Sequence, residues 1–408
     1  MKLLHVITSM DPLTGGPCQG IRNSNQALSD FGVHREVVSL DSPSASFLGQ
    51  DLFPIHAIGP VNGTWKYSRQ LIPWLLDNFA RFDVVVVNGL WQYHAFAVQR
   101  ALKLYKSKTK PGKRVPKLFI MPHGMLDPYF QLAKSRRLKA IRNWFYWHLI
   151  EKRVIREADG VLFTCLEELQ LARLTFKGYK PRRELNVGYG IESPPAFFDL
   201  MKSEFLKKIP SLRNKRYFLF LSRIHEKKGV DLLIKAYTGF IKLNPELSLP
   251  KLVIAGPGLD TEYGRSMKLL ASDSTASGAD IFFPGMLSGD SKWGAMYGCE
   301  AFVLPSHQEN FGIAVAEALA CSKPVLISNQ VNIWREIKDT GGGIVAEDTL
   351  EGTEMLLQSW MCLDAIERKE MSVKARKSYQ EHFNVKPAAH KFFEAISVHN
   401  TVIVENYN

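Results

Sequence analysis

Apolar residues gather along this chain into short, nearly continuous runs separated by longer stretches of mixed polarity. In the first half the runs are LLHVIT, EVVSL, DVVVVN, KLFIM, DGVLFT and ELNV. In the second they are YFLFLS, KLVIAG, DIFFPG, AFVLPS, KPVLIS and GGIVA. Most are rich in β-branched residues and apolar throughout rather than alternating, as in parallel strands covered on both faces by helices. Strands separated by helix-length stretches predict doubly wound α/β sheets. The pattern occurs twice, opening at MKLLHVITS and reopening at RYFLFLSR near residue 216. The expected fold is α/β, with two doubly wound, Rossmann-like domains facing a central cleft and ligands at the carboxyl ends of the strands. Residues 1–195 and 196–384 are the expected domains, with YGIESPPAFFDLMKSEFLKKIPSLRNK as the linker region. Residues 385–408, containing VKPAAHKFFEAISVH, are read as a last helix crossing back to the first domain.

Length agrees, because 408 residues exceed what one core supports. The net charge of +12 attracts anions: nucleic acid, anionic lipid or phosphorylated substrates. No zinc finger, RNA-binding aromatic motif or helix-turn-helix pattern accompanies the charge, so no nucleic-acid partner is expected. The five cysteines are scattered and form no C-x-x-C pair, which fits a reducing cytoplasm and argues against a structural zinc. The apolar start of MKLLHVITSM is too short for a signal peptide, and no run approaches a membrane span. A cytoplasmic protein is expected.

Three loops carry candidate chemistry. In TSMDPLTGGPCQG, the pair Gly15-Gly16 follows a strand and precedes a helix that Pro17 can start. Such a loop fits either a plain turn or a backbone approach to an anion. It is not G-x-G-x-x-G, although Asp41 follows the next strand where a dinucleotide enzyme places its ribose-binding acid. In FLSRIHEKKGVDLLIKAY, Arg223 and Lys228 flank a strand-end loop, a solvated basic turn or a diphosphate site. In PSHQENFGIAVAEALA, Glu309 precedes a helix expected to start near Phe311-Gly312, and Glu317 lies about one and a half turns into it. Acids are rarely buried unpaired, and Ala316 and Ala318 beside Glu317 argue against a solvent-facing position. The helix N-terminus favours phosphate, leaving the two acids for hydroxyl groups.

These segments resemble the retaining glycosyltransferases of GT-B architecture in glycosyltransferase family 4. The E-x₇-E pair Glu309/Glu317, after a strand ending Pro-Ser and before ALAC, carries the likeness, together with SRIHEKKGVDLLIKA, LVIAGPG, FFPGMLSGDSKWGAMYGCEAFVLPS and MPHGMLDP. The resemblance implies an acceptor-side first domain and a nucleotide-sugar-binding second domain. Arg223 and Lys228 would bind the donor diphosphate. Glu309 would bind hydroxyls of the transferred sugar, and Asn310, Phe311, Gly312 and Ile313 would offer backbone amides. Glu317 would hold the ribose, and Gly285, Met286 and Leu287 would lie near the base. Gly15 and Gly16 would approach the diphosphate from the first domain, and His123 the transferred sugar. From its residues alone, His123 also reads as a strand-end histidine bonded to backbone. Two departures stand out: Tyr189-Gly190 where Asn-Gly is frequent, and Ser322 where glycine is common.

No D-x-D motif is present to hold a divalent cation, so metal-independent transfer without a cofactor is expected. The resemblance implies a front-face mechanism in which the leaving phosphate helps deprotonate the acceptor. The expected function is hexose transfer from a nucleotide-sugar, UDP-glucose by commonness, to a saccharide or lipid-linked saccharide in bacterial-type polysaccharide or glycoconjugate synthesis. A sugar-nucleotide epimerase of the same architecture and an NAD-dependent oxidoreductase are the alternatives. Residues 134–156, KSRRLKAIRNWFYWHLIEKRVIR, carry eight Lys/Arg and one Glu around an aromatic block. Leu138, Ile141, Phe145 and Leu149 share one helical face, expected to meet the core. A basic aromatic helix also suits contact with an anionic membrane face. In NGLWQYHAF, Trp91 and Tyr93 could stack on an acceptor sugar or simply pack.

Overall fold

A computed structural model describes residues 1–110, 112, 114–133, 136–275 and 280–397. The chain divides into two compact units. One comprises residues 1–190 with the segment beginning at Val385; the other is Ile191–Asn384.

The first unit is built on strands β1 (Lys2–Ile7), β2 (His34–Ser39), β3 (Ile55–Ala57), β4 (Val84–Asn88), β5 (Lys117–Met121), β6 (Gly160–Phe163) and β7 (Glu184–Asn186). They are parallel throughout, in the order β3-β2-β1-β4-β5-β6-β7. The continuous apolar run of β4 is explained by its central place, since every one of its residues is buried. Its neighbour β1 is set in register with Leu3 opposite Val84 and Val6 opposite Val87. The closing helix Val385–Ser397 belongs to this unit: Phe393 stacks on Phe31 with ring centroids 5.3 Å apart, and Phe392 lies over His5 at 6.3 Å.

The second unit repeats the plan with β8 (Tyr217–Leu221), β9 (Lys251–Ala255), β10 (Ile281–Gly285), β11 (Ala301–Leu304), β12 (Val325–Ser328) and β13 (Gly343–Ala346). The order is β10-β9-β8-β11-β12-β13, again all parallel. In each sheet the strand order reverses once, between β1 and β4 and between β8 and β11. Such a reversal opens a crevice at the carboxyl ends of the two strands that flank it.

Three sequence expectations are corrected. Strand β3 was not expected: it is three residues long and only half-buried, too short to register as an apolar run. The segment read as linker holds the helix Asp199–Lys208, whose Met201 and Phe205 are buried in the second unit; two apolar anchors among charged residues make a weak pattern. The basic aromatic helix is turned about its axis relative to expectation. It runs through Arg137–Tyr146, a π-turn at Trp147–Glu151 and Lys152–Glu157. Leu138, Ile141, Phe145 and Leu149 are 85, 56, 53 and 76% exposed. The inward stripe is Asn143, Trp147 and Glu151, spaced four apart on the opposite side. Trp147 stacks on Phe176 at 4.8 Å, and Glu151 accepts the backbone N–H of Trp91 at 2.6 Å. The aromatic anchor Trp147, the Glu151 hydrogen bond and the buried Val154 and Ile155 further along thus set the helix's orientation. Among the described residues no helix is long and apolar enough to cross a membrane.

Candidate active site

In the second unit the strands flanking the reversal, β8 and β11, run into the two loops singled out by sequence. The β8 loop ends in a single turn, Glu226–Lys228, closed by Gly229 with φ of 65°. A Cβ on Gly229 would sit 2.0 Å from the Pro305 carbonyl oxygen, so only glycine lets this loop press on the one after β11. Two further bonds hold them together: the His307 N–H and the Ser306 hydroxyl both donate to the Lys227 carbonyl, at 2.9 and 3.0 Å.

This contact delivers Lys228 to Glu309. Lys228 is only 5% exposed, and its ammonium donates to the Glu309 carboxylate. Burial would raise the Glu309 carboxyl, but the Lys228 charge and hydrogen bond, reinforced by Lys227 and Arg223, hold it below the usual carboxylate range. The Glu309 backbone is pinned by bonds from its N–H to the Gln330 carbonyl and from the Asn332 N–H to its own carbonyl, each 2.9 Å. Arg223 is exposed on the same loop as Lys228.

Gly312, with φ of 75°, turns the chain into the helix Ile313–Ala320. Asn310 accepts from the Asn332 amide at 3.4 Å, and Phe311 is anchored edge-on to Phe383, ring centroids 5.8 Å apart. The first helical amides therefore follow directly on the Glu309 turn, where the macrodipole favours an anion. Glu317 is not solvent-facing: its side chain is 13% exposed and accepts from the Lys292 ammonium at 2.6 Å. Lys292 lies over the Trp293 ring at 4.5 Å, on the helix Gly289–Gly298. That helix follows the Gly285–Leu287 segment, where Gly285 has φ of 77°, Met286 is 62% exposed and Leu287 is buried.

In the first unit the crevice strands are β1 and β4. After β1, Gly15 (φ 97°) leads into the helix Gly16–Asn23, with Pro17 in its first turn. The Gly16 carbonyl accepts from the Tyr189 hydroxyl at 2.7 Å, and the absence of a side chain on Gly20 makes room for that ring. Tyr189, one of the two departures from the family pattern, thus anchors the glycine loop. The other departure, Ser322, adopts a left-handed φ of 59°, a conformation that glycine takes without strain. Asp41 is committed to the loop itself, accepting from the Ser9 hydroxyl at 2.6 Å and the Met10 N–H at 2.7 Å. This explains an acid after β2 without a dinucleotide.

His123 follows β5 with φ of 52°. It bonds not to backbone but to a side chain: its Nε2 lies 3.0 Å from Asn88 Oδ1, while Asn88 Nδ2 lies 3.1 Å from His5 Nδ1. With Asn88 donating to His5, the His123 Nε2 carries the proton and its Nδ1 is an acceptor. Burial pushes His123 down to about 4, so the ring is neutral at pH 7. It lines a cavity with His5, Arg35, Asn88 and Tyr189. Gly15 and Gly16 thus follow the crevice strand β1, Arg223 and Lys228 follow β8, and Glu309 to Glu317 follow β11, whereas His123 follows β5 and Gly285 to Leu287 close the edge strand β10.

Residues 15–190 match the family model described as glycosyl transferase 4-like domain, and residues 201–378 match that of glycosyl transferases group 1. The chain is a family-4-type glycosyltransferase of GT-B architecture. The D-inositol 3-phosphate glycosyltransferase of Acidothermus cellulolyticus is 28% identical over 132 residues, covering 32% of this chain and 29% of the relative. The serotype-specific mannosyltransferase WbdA of Escherichia coli is 28% identical over 293 residues, covering 69% of this chain and 33% of the relative. The chain thus spans about a third of the length of these relatives. The fold is shared with the HepE protein of Anabaena, solved with UDP and glucose, at a TM-score of 0.73 and 15% identity over 97% of this chain and 99% of that one.

One member of the glycosyltransferase's charged constellation escaped the sequence reading. Lys292 pairs with Glu317 across 25 residues, and nothing local marks it among many lysines. The signal available was position: a single cation on the helix directly after the Gly285–Leu287 segment. Among the described residues no group of three or more His, Cys, Asp or Glu side chains is placed to hold a metal ion.

Proposed function

We propose that this glycosyltransferase is a retaining, metal-independent hexosyltransferase of the cytoplasm. UDP-glucose is the first-choice donor, and a saccharide or lipid-linked saccharide is the acceptor. The observation that carries the reading is the Lys228–Glu309 pair, seated between an exposed Arg223 and the start of the helix Ile313–Ala320. Three kinds of group then meet at one place: fixed cations, helix amides and an ionised acid. A diphosphate calls for the first two and sugar hydroxyls for the third.

In this reading the donor diphosphate takes Arg223, the two ammonium hydrogens of Lys228 not engaged by Glu309, and the amides of Asn310 to Ile313. Glu309 accepts from hydroxyls of the hexose. Glu317, steadied by Lys292, accepts from the ribose, with Gly285 to Leu287 beside the base. Within the first unit, the Gly15–Gly16 backbone suits an anion and the unprotonated Nδ1 of His123 suits a sugar hydroxyl. The bond between the anomeric carbon and the diphosphate oxygen breaks as the acceptor oxygen bonds to the same face of that carbon. The acceptor's proton passes to the departing phosphate, so the configuration is kept and no side chain is covalently modified. Cations and amides already in place stabilise the charge that develops on the leaving group. This is the work a divalent cation would otherwise do. UDP-glucose is favoured because HepE, which shares the fold, was solved with UDP and glucose.

Incubation with UDP-, GDP- and ADP-hexoses in excess chelator tests the reading. Release of nucleoside diphosphate and an α-linked product, read by NMR, are expected from an α-configured donor. Full loss in chelator that magnesium or manganese restores would refute metal independence. A β-linked product would refute retention, and an epimerised nucleotide-sugar would refute transfer.

A further inference from the structure

Over Arg137–Tyr146 and Trp147–Glu151 the helix presents the reverse of ordinary amphipathicity, before Val154 and Ile155 bury its last segment, Lys152–Glu157, in the usual way. Its inner stripe contains two polar residues, Asn143 and Glu151, around Trp147, while five large apolar side chains point outward. Leu138, Ile141, Trp144, Phe145 and Leu149 are between 51 and 85% exposed. At 100° per residue, Leu138, Ile141, Phe145 and Leu149 fall within a quarter-turn of one another, with Trp144 at the margin. Leu132, on the preceding short helix, adds a sixth at 79% exposure. Contiguous exposed apolar surface of this kind marks an interaction site.

The charge around it is of one sign. From Arg137 to Ile150 there is no Asp or Glu, and Glu151 is fully buried. Arg137, Lys139, Arg142 and Arg156 are exposed. A second copy of this face would bring those cations against their own kind. A polyanion in water would neutralise the bases but leave Leu138, Ile141 and Leu149 exposed. A surface that is both anionic and apolar underneath satisfies the whole set, with long basic side chains reaching head groups while the stripe enters the acyl boundary. We infer that this helix is a docking surface for an anionic lipid bilayer, lying in the interface plane without crossing it. The inference does not depend on which sugar is transferred, or on transfer at all.

Sedimentation of the full chain with phosphatidylcholine vesicles, with and without about one-third phosphatidylglycerol, tests it. Binding is expected to the anionic vesicles and to weaken as salt rises. Lys139→Gln/Arg142→Gln lowers partitioning about 25-fold, at about fivefold per surface base. Ile141→Ser/Leu149→Ser lowers it at least ~10-fold, by loss of buried apolar area. Neither pair alters the melting temperature or the hydrolysis of a soluble nucleotide-sugar. Should the apolar pair melt early, Leu138→Ser alone, 85% exposed, carries the same test. The inference is overturned if the chain ignores anionic vesicles at low salt. It is overturned if the apolar variants bind as tightly as wild type, which would mark a polyanion site such as RNA. It is also overturned if the variants instead abolish a concentration-dependent dimer without affecting vesicle binding.

Discussion

Replacing Lys228 by methionine keeps an unbranched side chain one atom shorter and removes its charge. With the ammonium 5% exposed as a residue and the Glu309 side chain 22% exposed, the change leaves a carboxylate mostly out of water without its principal partner. Breaking a buried pair from one side costs about 3–5 kcal/mol. The lower end, ~3 kcal/mol, applies here because Glu309 keeps some water and still feels Lys227 and Arg223. For a unit of this size that is a fall of about 6–12 °C in melting temperature. Lys228→Met/Glu309→Gln recovers most of it, because no uncompensated charge remains. Turnover behaves differently. Removing a preorganised donor to the leaving group lowers kcat about a hundred- to a thousandfold, and the double variant does not regain it. The pH response changes sign as well. In the wild type, the depressed Glu309 carboxyl contributes stability above the ordinary carboxylate range, lost as pH falls through its folded value. In Lys228→Met, burial dominates and raises that carboxyl, so the variant recovers stability relative to wild type as pH falls from 7 towards 4. Thermal melts from pH 4 to 8 and nucleoside diphosphate release at saturating donor read both effects. A Lys228→Met protein that melts and turns over as wild type, or a double variant that regains turnover, would refute the coupling of this pair to the donor.

Further outcomes are expected elsewhere. His94 and His123 are each lowered by burial from 6.5 to about 4, so the unfolded chain binds more protons between those values. Unfolding free energy should therefore fall on acidification through this window, by about 1.4 kcal/mol per pH unit for each histidine, and His94→Gln should remove one such contribution in urea titrations. Glu317→Gln should narrow the preference for UDP over 2′-deoxy-UDP in calorimetry. Lys292→Met should weaken UDP about tenfold, and unchanged affinity would remove Lys292 from the site. Gly229→Ala must place a Cβ against the Pro305 carbonyl at positive φ, so it should cost at least ~2 kcal/mol and displace Lys228, seen as a joint fall in melting temperature and kcat.

How legible the molecule was in its sequence depended on what each signal measures. A parallel strand buried on both faces is apolar at every position, so β4 and β8 announced themselves. β3 is half-buried at a sheet edge and did not. Helical periodicity reports that a stripe exists, not which way it faces. Leu138 to Leu149 therefore passed for a core face until Trp147, packed on Phe176, fixed the rotation. Local composition located Lys228 and Glu309 but not their mutual bond, because 81 residues separate them. Lys292 was invisible for the same reason. Asp41 shows the converse: its position suggested a nucleotide, and its two hydrogen bonds to Ser9 and Met10 account for it structurally.

The chain leaves the first unit at Gly190, completes the second through Asn384, and only then supplies the helix Val385–Ser397 to the first. During vectorial synthesis this inverts the usual order in which domains emerging from the ribosome finish folding. The later-encoded unit is contiguous and can close as soon as it is released. The earlier one must wait, with His5 and Phe31 still lacking Phe392 and Phe393, until all of the second unit has been made. A nascent-chain partner that shields aromatic surface has its longest opportunity there, on the half translated first.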